Sequence, residues 1–286
     1  ITLSPSGDVY TTRSSLSAPD PFKGSVNGFT RMGAPIESFA FDAVNQSTRG
    51  LEDLTFDSAG NIYVASRNGI GPIGDPDSVG SIFRIDAGTS AITVLQPFDQ
   101  APSYRGITVT NTDRIYAASS RGSFAGDEQM IETNAAGASL NEFSPTGNGV
   151  RHLEVDYSVT ASLVALTRDA SGGGAPIYGW RRFDLAGNLI DTVDIGSSSV
   201  FNPIGLDIDA AGTLWTYNLE TDAVERYRID GTLLESHPIA INGDFIRDFM
   251  YTPDGAALFA YRTQVPAPAS APLLGLAGVI AARRRR

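Results

Sequence analysis

The sequence has no cysteine and a single lysine, Lys23. The first absence excludes disulfides and thiolate metal sites, so the fold has to be held by core packing alone. Charged residues make up only 19% of the chain, yet 42% is hydrophobic, which is enough for a substantial core and argues against disorder. Basic surface is scarce. The net charge is −11, and removing the four positive charges of Arg283–Arg286 leaves −15 for the body. A nucleic-acid duplex or an anionic membrane surface is therefore excluded as a natural partner of the folded part. No segment sustains a 3.6-residue apolar period, so helix is minor. There is also no G-x-S-x-G nucleophile elbow, no phosphate-loop spacing around Gly69–Gly80, and no twelve-residue calcium loop around Asp75.

What the sequence does have is repetition. Leu51–Ser66, LEDLTFDSAGNIYVAS, alternates apolar and polar residues on both sides of an Asp/Gly turn, the pattern of a β-hairpin. The unit recurs in ITLSPSGDVYTT at the start, in GITVTNTDRIYAAS from Gly106, and in LEVDYSVTASLVALT from Leu153. It appears again in GLDIDAAGTLWTYN from Gly205 and DFMYTPDGAALFAYR from Asp248. Measured between Val9, Ile62, Ile115, Leu163, Leu214 and Leu258, the spacings are 53, 53, 48, 51 and 44 residues. A second hairpin lies between successive copies, beginning near Gly28, Phe83, Ile131, Arg182 and Tyr227. Four strands per repeat at this period point to an all-β fold, a β-propeller. The six opening hairpins predict six four-stranded blades over residues 1–262. The five second hairpins leave two strands unaccounted for, expected to precede Ile1 together with a signal peptide and to close the ring by pairing the chain ends; the alternative is an irregular, open sixth blade.

Residues 263–286 differ in composition. Val265, Pro266, Ala267 and Pro268 open a Pro/Ala stretch, residues 269–282 are apolar, and Arg283, Arg284, Arg285 and Arg286 end the chain. As a helix the apolar run would span about 20 Å, short of a hydrocarbon core of about 30 Å. It is thus a short hydrophobic helix suited to transient membrane insertion, with the arginines on the cytoplasmic side.

This tail resembles a PEP-CTERM sorting signal in its three parts: a Pro motif, an apolar segment and an arginine cluster. Ala267 stands where that family usually has Glu, as in Val-Pro-x-Pro-Ala variants. The resemblance implies export in a Gram-negative bacterium, recognition by an exosortase, and a destination at the cell envelope, the surface or the extracellular matrix. The body resembles NHL-type propellers and the gluconolactonase/regucalcin-like group in the turns at Asp57–Ala65, Asp209–Trp215 and Thr252–Phe259. Fold-level likeness leaves the chemistry open.

Aligning the first strands of the repeats puts Glu52, Arg105, Arg151, Ile204 and Arg247 in one column, and Asp53, Gly106, His152, Gly205 and Asp248 in the next. The first strand of a blade is innermost, so Glu52, Asp53, Arg105, Arg151, His152, Arg247 and Asp248 are expected at one mouth of the central channel. Arginines there suit a carboxylate or an anionic sugar through bidentate hydrogen bonds. The same groups can instead form an ion-pair network between blades. The sequence favours a non-catalytic binding or structural module, for exopolysaccharide or a surface protein, with no cofactor. The alternative is a lactone hydrolase of the gluconolactonase-like type needing Ca²⁺ or another divalent metal, with Glu52 and Asn218 as plausible ligands. Paired-histidine chemistry of the streptogramin-lyase kind is disfavoured, because His237 falls in a second hairpin away from the predicted mouth.

Overall fold

The computed structural model describes residues 1–13, 24–41, 50–70, 79–95, 104–119, 130–143, 149–169, 176–197, 203–239, 245–252 and 257–262. Each repeat forms an antiparallel sheet whose strands run outward in chain order. Blade 1 comprises β1 (Thr2–Leu3), β2 (Val9–Arg13), β3 (Ser25–Phe29) and β4 (Pro35–Ala40); blade 2 comprises β5 (Leu51–Phe56), β6 (Ile62–Ile70), β7 (Val79–Ile85) and β8 (Ile92–Leu95). Blade 3 holds β9 (Tyr104–Val109), β10 (Ile115–Ser119), β11 (Met130–Thr133) and β12 (Ser139–Phe143), and blade 4 holds β13 (Gly149–Asp156), β14 (Ser162–Asp169), β15 (Ile177–Asp184) and β16 (Leu189–Ser197). Blade 5 is β17 (Pro203–Ile208), β18 (Leu214–Asn218), β19 (Ala223–Tyr227) and β20 (Leu233–Pro238); β21 (Phe245–Tyr251) and β22 (Ala257–Arg262) form a sheet of two strands.

The repeat spacing predicts six four-stranded blades, and the structure corrects this to five. The sixth opening hairpin folds as β21–β22, but no second hairpin pairs with it among the described residues. The weakest second hairpin in the sequence, from Gly28, nevertheless forms β3 and β4. No helix long and apolar enough to cross a membrane occurs among the described residues. The expected sorting helix and its motif, Val265–Pro268 and Arg283–Arg286, lie outside them.

The core follows from period-two alternation on strands buried on both faces. On β6, Ile62 and Val64 pack with Tyr10, Val26 and Leu54, whereas Tyr63 and Ala65 pack with Tyr104, Ile107 and Ile115. β10 repeats the division: Ile115 and Ala117 face blade 2, while Tyr116 and Ala118 face blade 4. On β14, Leu163 and Ala165 look back to blade 3, and Val164 and Leu166 look forward to blade 5. Six apolar clusters result, one at each junction; the last joins Ile1, Leu3 and Val9 of blade 1 to Met250 and Leu258 of the β21–β22 hairpin. The outer strands β4, β12 and β20 are mostly exposed.

The turns explain the repeated Asp-x-x-Gly. Asp57 Oδ1 accepts hydrogen bonds from the backbone N–H of Ala59 and Asn61, and its Oδ2 accepts from Asn61 Nδ2 and Tyr63 Oη. Gly60 takes φ +84°, where side-chain-bearing residues are strained. Asp209 does the same for Ala211 and Thr213. Successive turns also interlock: Ser58 donates through N–H and Oγ to Asp113, at 2.8 and 2.5 Å.

The inner strands approach each other most closely at glycine. A Cβ on Gly106 would lie 2.8 Å from Leu153 N and 2.9 Å from His152 C on the next blade. Gly106→Ala therefore has to push β9 away from β13, and we expect a loss of about 1–3 kcal/mol, measurable as a lowered midpoint in urea unfolding.

Candidate functional site

The charged column in the inner strands coincides with a break in strand pairing. In blade 2, Leu51 pairs with Ser66 and Asp53 with Ala65, so Glu52 is an extra residue in β5. Arg105 is the extra residue between the Tyr104–Ser119 and Gly106–Ala118 pairs. Arg151 lies between Val150–Thr167 and His152–Leu166, and Arg247 between Ile246–Tyr261 and Asp248–Ala260. Each is a β-bulge, in which one strand gains a residue and locally turns its side chains away from the regular alternation. Blade 5 bulges one step later, across Gly205 and Leu206, with Gly205 at φ +68°. Four equivalent bulges thus carry Glu52, Arg105, Arg151 and Arg247. Glu52, Arg105 and Arg151 are half-buried; for Arg247 and Asp248 on β21 only the backbone path is described.

One residue further along, the structure brings Asp53 of blade 2 and His152 of blade 4 together. Asp53 is buried; its Oδ1 accepts from Leu54 N at 2.8 Å, and its Oδ2 accepts from Ile107 N of blade 3 at 3.0 Å. His152 Nδ1 lies 3.5 Å from Asp53 Oδ2, and His152 Nε2 lies 3.4 Å from Glu154 Oε1. The imidazole therefore sits between two carboxylates. Only a ring with a proton on each nitrogen donates to both.

Two members of this group escape the column reading, Glu154 and Asp207. Asp207 Oδ1 accepts from Ile208 N at 2.8 Å and its Oδ2 from Tyr251 N of β21 at 2.7 Å. Asp207 is half-buried. Burial, and next the negative charge of Glu154, push the Asp207 carboxyl up to about 7; the N–H groups of Tyr251 and Ile208 and the charge of His152 oppose this. Glu154 and Asp207 fall in the column of Thr55, Thr108 and Met250, whose mixed composition hides it. The available signal is that two neighbouring repeats carry acids at equivalent inner positions.

No group of three or more His, Asp or Glu side chains arranged to hold an ion occurs among the described residues. The two nitrogens of His152 face opposite carboxylates. The Asn218 amide is engaged within blade 5, donating to Glu225 at 3.2 Å and accepting from Glu220 N at 3.0 Å. His237 is on the outer strand β20, exposed, 2.9 Å from Glu235 and stacked on Trp215.

No family model matches the chain, and no curated relative matches it. Among solved structures, a hydrazine synthase from Kuenenia stuttgartiensis superposes with a TM-score of 0.62 at 13% identity, covering 90% of this chain and 78% of the other. The periplasmic gluconolactonase PpgL of Pseudomonas aeruginosa gives 0.59 at 15% identity over 88% and 76% of the two chains. A chain of a nidogen/laminin complex gives 0.57 at 15% identity over 89% and 86%. At these identities the likeness is one of fold, and it establishes the propeller.

Asp53 ties blade 2 to blade 3 by accepting the buried Ile107 N–H, and it also accepts the N–H of Leu54 on its own strand. Asp53→Ala leaves both without this acceptor, and we expect a loss of about 2–5 kcal/mol, to be read from thermal and urea unfolding.

Proposed function

We propose that the chain is an exported, non-catalytic propeller that binds an anionic, carboxylate-bearing glycan at the bulged mouth of its channel. The observation that supports this reading is the set of equivalent bulges at Glu52, Arg105, Arg151 and Arg247. A bulge re-aims the side chain of its extra residue, and Glu52, Arg105 and Arg151 stand half-buried at equivalent positions of their inner strands. Guanidinium groups there offer planar pairs of donors that match a carboxylate. Elsewhere the chain is acidic, so an anion meets favourable charge only where arginines are grouped. Glu52 beside them accepts from sugar hydroxyls. The mechanism is rigid presentation of a preformed mouth, without covalent chemistry.

The tail supplies the delivery. Val265–Pro268, the apolar residues 269–282 and Arg283–Arg286 have the order of an exosortase substrate: the propeller is exported, the apolar segment enters the membrane transiently, and an exosortase processes the chain at the envelope. A propeller fold is shared by a periplasmic gluconolactonase and by nidogen in its laminin complex, so the body suits an enzyme or a matrix protein equally. The engagement of Asn218 within blade 5 and the opposed carboxylates on His152 favour binding over metal-dependent lactone hydrolysis.

Arg105→Ala and Arg151→Ala should each weaken binding of a uronate-containing oligosaccharide about tenfold or more, while the matching neutral oligosaccharide binds neither variant nor the parent. Calorimetric titration at two salt concentrations checks this, and unchanged affinity in both variants would overturn the assignment of the mouth. Deleting residues 265–286 should shift the protein from the envelope fraction to the medium. An unchanged distribution would remove the sorting role.

A further inference from the structure

Among the described residues, β22 pairs with β21 on one side and with no strand on the other. Its backbone groups meet that outer side in a fixed pattern. Tyr251 gives its N–H to Asp207 on β17, so the Tyr251–Ala257 pair is not joined by hydrogen bonds. In an antiparallel ladder such pairs alternate with bonded ones, and their N–H and C=O groups point away from each other. Ala257, and Phe259 two residues on, therefore present both groups at the outer edge of β22.

This edge lacks the devices that protect the others. β4 opens on Pro35 and carries Glu37, and β20 carries Glu235 and ends at Pro238. β16 carries Asp191 and Asp194, β12 carries Glu142, and β8 has only four residues. Proline, charge and shortness each deter the addition of a further strand. β22, ALFAYR, has no proline and no acid, and its one charge is at the last residue. Its composition is that of an interior strand.

The neighbouring outer hairpin is uncovered as well. In blades 3, 4 and 5 the glycine of the turn between the third and fourth strands lies on the outer strand of the preceding blade. Gly137 meets Leu95, Gly187 meets Phe143, and Gly231 meets Val193 and Ile195. Blade 1 follows the two-stranded unit around the ring. There a Cβ on Gly33 would meet nothing within 4 Å, and Met32 beside it is 93% exposed. The equivalent positions indicate what fits this place: two further antiparallel strands continuing the β21–β22 sheet.

We propose that the chain forms a two-fold dimer in which the β22 edges of two copies pair antiparallel. A two-fold contact takes the same surface from each partner, and a strand paired with its own symmetry mate in this way is antiparallel. The joint sheet has β21 and β22 from one copy and β22 and β21 from the other. Its four strands match the number in each of the five blades. One contact uses both edges, so assembly closes at two copies. A single foreign strand would itself become a new edge. Antiparallel pairing also places the two Arg262 residues at opposite ends of the joint.

The test uses the full chain over a range of concentrations, with mass read by light scattering and sedimentation. The mass should be twice that of one chain and fall by half on dilution. Amide exchange of β22 should be slower in concentrated than in dilute solution, with that of β14 constant. Ala257→Pro removes an outward N–H and no β21–β22 hydrogen bond, at the first residue of a strand, where proline is tolerated. It should halve the mass and leave the circular dichroism unchanged, whereas Ala257→Ser stays dimeric. Should the proline variant fail to fold, the concentration dependence of β22 exchange decides alone. A chain lacking residues 265–286 should remain a dimer. A monomer at every concentration, a folded Ala257→Pro dimer, β22 exchange that ignores concentration, or a dimer lost with residues 265–286 would overturn the edge contact. Glycan binding is read separately, so failure here leaves the assignment of the mouth standing.

Discussion

Burial on both faces of the second strand in each blade is the constraint on which the ring depends. Val64 and Tyr63, adjacent on β6, enter different clusters, one shared with blade 1 and the other with blade 3. No blade can bury its apolar surface alone, so each is stable only between neighbours. Among the described residues the last unit meets both neighbours with its two strands: Leu258 and Met250 pack with Ile1, Leu3 and Val9, and Phe249 and Tyr251 pack with Trp215 and Tyr217. The outer strands β4, β12 and β20 bury little.

Close packing at the axis then decides where chemistry can sit. Gly106 and Gly205 let β9 and β17 approach the backbone of the next inner strand, at Leu153 and Phe249. In the same column, Asp53 and His152 keep side chains, and these meet. Absence of a Cβ in alternate blades makes room for polar groups in the others. Asp53 and Asp207 accept backbone N–H groups from the following inner strand.

Much of this was legible in the sequence, and what was not has identifiable physical causes. Alternation about Asp57 and Asp209 reports the inner hairpins faithfully, because the carboxylate that caps each turn and the glycine that follows it are both fixed by backbone geometry. The count of opening hairpins does not report the number of four-stranded blades, since among the described residues the last hairpin stands as two strands packed on both neighbours. Glu52, Arg105, Arg151 and Arg247 align as a charged column, yet their status as bulges depends on pairing with β6, β10, β14 and β22, which no local pattern shows. Glu154 and Asp207 are harder still. Each looks like the polar half of an ordinary alternating strand, and only the curvature of the ring sets them beside each other.

The likeness to a synthase, a lactonase and a matrix protein within one architecture shows how little the fold constrains its use. What separates such proteins is the handful of side chains that the inner strands turn toward the axis. In four of the inner strands one inserted residue, Glu52, Arg105, Arg151 or Arg247, breaks the pairing. A bulge takes that residue out of the regular pairing of the sheet. The acids one and three residues further on are in register again, tied to backbone, and answer to the stability of the ring. The bulge thus separates, along one strand, a residue outside the regular pairing from residues that tie neighbouring inner strands together.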